Sequence, residues 1–162
     1  MSFARFLTNL RDRMSPVPPL AQGDQRQVGA IPFTTVDSQT VFLIITSRRT
    51  GRWIFPKGSI IPGMTAWDSA AQEAFEEAGV RGIVEETPIG TYSTIKAREM
   101  RRQRLEVDLY PLRLTEQLTS WPEDGQRHRH WVVMSDAKRL LSDTQLVEII
   151  ERLDARERLA RS

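Results

Sequence analysis

The sequence predicts a single α/β domain, a mixed β-sheet with helices on its faces. Three observations carry this expectation. The chain has 162 residues, the span of one compact domain. Apolar residues make up 40% and charged ones 27%, with 9 glycines and 9 prolines, which is enough to bury a core without a low-complexity profile. The order of segments is apolar β-branched runs, one helix with clear ends, further runs and a closing helix, an order that fits helices packed on a mixed sheet. No repeat with a period of roughly 20 to 50 residues is visible.

The elements follow in chain order. MSFARFLTNLRDRM is basic and amphipathic, with Phe3, Phe6, Leu7 and Leu10 at helical spacing. It reads as a short helix docked on the domain, with a membrane-surface or targeting role as the alternative reading. Prolines 16, 18 and 19 and Gly23 then make a linker, so residues 1–25 precede a domain over 26–158. QVGAIPFT and TVFLIITS form a hairpin about a Val-Asp-Ser-Gln turn, RWIF is a short strand and PKGSIIPGM a loop. TAWDSAAQEAFEEAG is a helix, with Thr65 and Asp68 resembling a capping box and Gly79 suited to the left-handed position past its end. PIGTYSTI and RLEVDLYPL are strands separated by a basic connector, and HWVV is another. Ser135 opens SDAKRLL, and Ser142 with Gln145 caps a last helix carrying Leu146, Ile149, Ile150 and Leu153.

Composition also excludes chemistries. With no cysteine, disulfide frameworks, thiolate zinc sites and cysteine nucleophiles are ruled out; redox leaves the compartment unconstrained, and the cytoplasm is the default expectation. Lysine and arginine number 23 against 21 aspartates and glutamates, a surplus too small to be a nucleic-acid footprint. No run approaches the roughly 18 apolar residues of a membrane span. Nothing in the sequence points to an oligomeric state.

The central helix carries Glu73, Glu76 and Glu77 at i, i+3 and i+4, all within roughly 100° of one another at 3.6 residues per turn. Like charges so placed repel, and a divalent cation reverses the sign. A solvated acidic face is the common reason for a Glu-rich helix. Here a Pro-Lys-Gly loop precedes the helix, and the acids lie at its C-terminal end, where the dipole disfavours negative charge. Oxygen ligands of this kind suit Mg²⁺ or Mn²⁺. Trp67, Ala70, Ala71, Ala74 and Ala78 occupy the other arc, and small side chains there let the helix approach a sheet closely.

Gly58 to Val80 resembles the Nudix box, with Gly58, Glu73, Ala74, Glu76, Glu77, Gly79 and Val80 in register, seven of its nine defined positions. VGAIPF, the SRR at 47–49, RWIFPKG, WPED and RHRHW are similar to the diphosphoinositol polyphosphate and diadenosine polyphosphate branch of that family, and the resemblance covers about residues 26–155. It implies an α/β/α sandwich with a catalytic loop-helix-loop. Met64 and Gln72 depart from the pattern, standing where the family has a Glu and an Arg that form a brace. Losing both strands neither charge, and a rebuilt brace is expected, with Met64 packing on apolar surface and Gln72 hydrogen-bonding.

The activity implied by the resemblance is metal-dependent hydrolysis of a diphosphate linkage in a highly phosphorylated small molecule, a diphosphoinositol or dinucleoside polyphosphate. Other nucleoside diphosphate derivatives, a capped or triphosphorylated RNA end, or a non-catalytic metabolite-binding module are the alternatives. By box position Glu73 and Glu77 would ligate Mg²⁺ or Mn²⁺ with a backbone carbonyl at Lys57 or Gly58, and Glu76 would be the base or a further ligand. Glu123 in WPED is a second candidate base, and reads equally as a surface loop acid. Arginine forks and lysines suit polyphosphate: Arg48, Arg49 and Lys57 flank the metal loop. Lys96 and Arg98 lie in the basic connector, which reads equally as an exposed hairpin tip. Arg127 and Arg129 share one face of an alternating segment, with both histidines on the other. Tyr92, Tyr110 and Trp121 are the aromatic candidates to meet a nucleobase.

Overall fold

The computed structural model describes residues 25–98 and 101–162. The expected N-terminal helix and linker, apart from Gln25, and the tip of the basic connector lie outside the described residues. Eight strands form one mixed sheet: β1 (Gln25–Val36), β2 (Gln39–Thr46), β3 (Trp53–Ile54), β4 (Lys57–Gly58), β5 (Val80–Val84), β6 (Gly90–Arg98), β7 (Arg101–Gln117) and β8 (Arg129–Val133). Strands β3, β2, β1, β7 and β5 lie side by side in that order, with β4 on β1, β6 on β7 and β8 on β2. The β1 and β7 pair is parallel, from Gln25 opposite Leu105 to Phe33 opposite Arg113, and the other pairs are antiparallel.

The expected hairpin turns at Asp37 and Ser38, both with positive φ (49° and 65°), the backbone that a tight hairpin needs. The basic connector is not a loop in its described part. It is the paired ends of β6 and β7, with Lys96 opposite Gln103 and Ala97 opposite Arg102. Strand β5 was not expected, because Arg81 and Gly82 break its apolar pattern, and a bulge falls between those two residues.

Period-2 alternation divides the core between two faces. On one, Val28 and Ala30 of β1, Leu43 and Ile45 of β2 and Leu112 of β7 meet Ala70, Ala74 and Ala78. On the other, Ile31, Phe33, Phe42 and Ile44 meet the last two helices through Ala137, Leu146, Ile149, Ile150 and Leu153. The layering is therefore α/β/α. Helix α1 (Ala66–Glu73) begins at Thr65, whose hydroxyl accepts from the Asp68 amide at 3.1 Å. It does not stay α-helical to its end. Ala74–Ala78 is a π-helical turn, closed by Gly79 at φ 65° with its amide directed to the carbonyls of Ala74 and Phe75. Helix α2 (Met134–Leu140) starts one residue before Ser135 and has no side-chain cap. Helix α3 (Thr144–Arg161) is capped by Asp143 and not by Ser142, because Asp143 Oδ1 takes the Gln145 amide at 2.9 Å.

Candidate active site

Strand β4 and the C-terminal end of the α1 helix face each other across a cleft. Gly58 makes the approach close: a Cβ there would overlap the Glu73 carboxylate. One turn on, Glu77 is buried, 8% exposed, and its Oε2 accepts the Lys57 amide at 3.3 Å. The π turn widens the backbone where Glu76 and Glu77 sit, and the three acids line one cleft, as their spacing leads one to expect. Within it Glu76 is engaged along the helix, its Oε1 accepting from Gln72 Nε2 at 3.1 Å. Gln72 does hydrogen-bond, but along its own helix and not across to the loop that carries Met64, so this bond does not rebuild the expected brace. Met64 does not pack as expected, because the turn that carries it stands in solvent and leaves the side chain 38% exposed.

Burial pushes Glu73 up to about 8, helped by the charges of Glu77 and Glu76 and by a carboxyl hydrogen bond with Glu77. Glu77 rises to about 7, chiefly through burial, against the pull of Arg127. Two carboxyls this strongly coupled, one buried and one half-buried, are relieved by a proton or by a cation beside them. That donor chemistry, hard oxygens beside the backbone of Lys57 and Gly58, fits Mg²⁺ or Mn²⁺. Among the described residues no group of three acids is gathered for a metal without some movement. Glu76 is engaged by Gln72, and Glu123 by arginines.

Glu123 lines the same cleft as Glu73, Glu76 and Glu77, although it is distant in sequence. The Glu123 amide donates to the Glu76 carbonyl at 3.0 Å, tying its loop to the π turn. Its carboxylate faces Arg48 Nε at 3.5 Å and Arg127 Nε at 3.4 Å. Arg127 is held more firmly still, with Glu77 Oε1 at 3.3 Å and the Thr46 carbonyl at 3.1 Å.

The cleft, about 540 Å³, opens into a groove of about 550 Å³, and Arg48, Lys57, Glu77, Lys96 and Arg127 line both. Arg49 and Arg52 line the groove. Lys57 sits deep enough that desolvation lowers its pKa, and its Nζ donates to Gln27 at 3.4 Å. Of Arg98, only the strand pairing with Arg101 is described. Expectation had not included Gln27, Arg52, Trp53 or Thr94, which also line these cavities. The run SRRTGRW pointed toward Arg52, whereas Gln27 and Thr94 carry no signal that a sequence reader could use.

Arg129 does other work than phosphate binding. It does share a face with Arg127, but its guanidinium donates to the carbonyls of Ala78 at 3.0 Å, Gly79 at 3.3 Å and Leu118 at 2.7 Å, and lies 3.9 Å over the Trp121 ring. It lines neither cavity. Trp121 is thereby packed on Gly79, and Tyr110 is buried in the core on the α1 side of the sheet, so only Tyr92 of the three aromatic candidates reaches the groove.

The NUDIX domain profile matches residues 23–153. The chain is 31% identical over 136 residues to diphosphoinositol polyphosphate phosphohydrolase 2 of Rattus norvegicus, covering 82% of this chain and 72% of that protein. It is 32% identical over 108 residues to the mitochondrial Nudix hydrolase 12 of Arabidopsis thaliana, covering 60% of this chain and spanning only 50% of that relative's length. Among solved structures, C. elegans Ap4A hydrolase superposes with a TM-score of 0.60 at 16% identity, over 82% of this chain and 97% of that one, a likeness of fold. No helix among the described residues is long and apolar enough to cross a membrane. The compartment named for the plant relative is the mitochondrion, which lends no support to the cytoplasmic expectation.

Proposed function

The chain belongs to the NUDIX domain family, and from that premise we propose that it hydrolyses a diphosphate linkage in a highly phosphorylated small molecule, with a divalent cation as cofactor. One observation carries the reading: the carboxyls of half-buried Glu73 and buried Glu77 line one cleft with Glu76 and Glu123, and that cleft opens into a groove rimmed by cations. Glu73 and Glu77, with the backbone at Lys57 or Gly58, would hold Mg²⁺ or Mn²⁺. When bound, the cation would neutralise phosphate charge and acidify an attacking water.

The chain's own residues supply the rest. Arg48, Arg49, Lys57 and Lys96 orient the phosphates, and their forked and ammonium donors fit phosphoryl oxygens. Glu123 is our candidate for accepting the proton of the attacking water, and its position in the cleft supports it: Arg48 and Arg127 fix its orientation. Glu76 is the alternative, and would first have to release Gln72. Arg127 pairs with Glu77 and lines both cavities, which places its guanidinium among the groups that would hold phosphate. That same pairing favours a second reading, a module that binds a phosphorylated metabolite without cleaving it.

Incubating the protein with Mg²⁺ and a panel of dinucleoside polyphosphates, diphosphoinositol phosphates and capped RNA, with products identified, decides between them. Cleavage at a phosphoric anhydride, abolished by a chelator, is the expected result. Tight binding without product would favour the module.

A further inference from the structure

Tyr92 presents chemistry that the phosphate-holding cations do not explain. It stands on β6, is 3% exposed and lines the groove, yet its buried hydroxyl makes no hydrogen bond with any described protein group. A buried hydroxyl left unpaired is unfavourable, so this one is set to gain from a ligand. Burial pushes the phenol up, and the charges of Asp143 and Glu77 push the same way, so it stays neutral, both donor and acceptor.

The surroundings narrow the ligand. Asp143 lines the same groove near enough for its charge to act on Tyr92, with both its side-chain hydrogen bonds on Oδ1, from the Gln145 amide and from Gln145 Nε2 at 3.3 Å. Thr94 and Ser142 add uncharged hydroxyls, and Trp53, Ile95 and Leu146 add apolar wall. A ring phosphorylated at every position would bring anions against that wall and against the Asp143 carboxylate, both unfavourable. A group with apolar faces and uncharged polar edges suits both.

Resting on the reading of the carboxylate cleft as the site of anhydride hydrolysis, we propose that the Tyr92 hydroxyl determines specificity. It hydrogen-bonds an uncharged hydroxyl or amino substituent on the organic part of the substrate, and so selects a nucleoside polyphosphate over a ligand made of phosphate alone.

The test is calorimetric binding of diadenosine tetraphosphate and of inorganic tripolyphosphate to metal-free wild type and Tyr92→Phe, with melting temperatures and Mg²⁺-dependent hydrolysis measured alongside. The substitution should weaken the nucleotide about tenfold or more, leave tripolyphosphate within about twofold, and leave the melting temperature no lower, since no protein partner is lost. If this selective loss appears but neither protein cleaves, the hydrolase reading fails and the assignment of Tyr92 stands. If both proteins cleave and bind the two probes alike, the hydrolase reading stands and the Tyr92 proposal is overturned. A wild type that binds the nucleotide no more tightly than tripolyphosphate overturns the proposal, as does a clear fall in melting temperature, which would mark the hydroxyl as structural.

Discussion

A single methyl group on Gly58 would occupy the space of the Glu73 carboxylate. Gly58→Ala should therefore displace a proposed metal ligand without touching either core cluster. We expect kcat/KM to fall about 100-fold, the scale of a misplacement near 1 Å, with little change in melting temperature. Kinetics and thermal melts on the same preparation check this. The acids themselves were legible as residues: their spacing on one helix, at the end where its dipole disfavours them, marked them as unusual. Arg129 was not. Alternation along RHRH gives the face a side chain occupies but not what lies across from it, and here that is three carbonyls, two of them at the end of the central helix and one in the loop after β7.

At the level of elements, the α1 helix shows how capping chemistry and shape act together. Thr65 and Gly79 mark its ends, and both do so as their chemistry requires. The π turn between them leaves no trace in residue type, because it shifts hydrogen-bond partners and not hydrophobic spacing. The alanines are more informative. Ala70, Ala74 and Ala78 are fully buried against β1 and β2, which fixes the distance from helix to sheet. Ala74→Leu should overpack that contact, destabilise by about 1–3 kcal/mol in urea unfolding, and lower activity more than a similar change on the α3 side, since α1 carries the acids. Strand β5 and the full length of β7 were missed for one reason. Charged residues and glycine suppress the β signal, whereas pairing with a long neighbour supplies the strand regardless. Ser142 and Asp143 are both good caps one residue apart, and only the geometry at Gln145 separates them.

For the whole molecule, a net charge of +2 conceals a sorting of charge. Acids lie on the helix side of the cleft, and Arg48, Arg49, Arg52, Lys57, Lys96 and Arg127 around the joined cavities. Burial and mutual charge push the Glu73 carboxyl up to about 8, and burial pushes the Glu77 carboxyl up to about 7, against 4.5 for an ordinary glutamate. Stability from these groups is therefore full below pH 4.5 and is lost as pH rises toward 8. Urea unfolding of metal-free protein across that window should show the decline, and Glu73→Gln should reduce it. Binding of Mg²⁺ displaces protons from these carboxyls, so affinity should rise with pH over the same range. The most direct test of the account is the hydrolysis of a pyrophosphate-containing substrate with Mg²⁺ by wild type and by Glu77→Gln. Loss of turnover with an unchanged circular dichroism spectrum is the predicted result, and full activity of the variant would contradict the assignment of Glu77 to the metal.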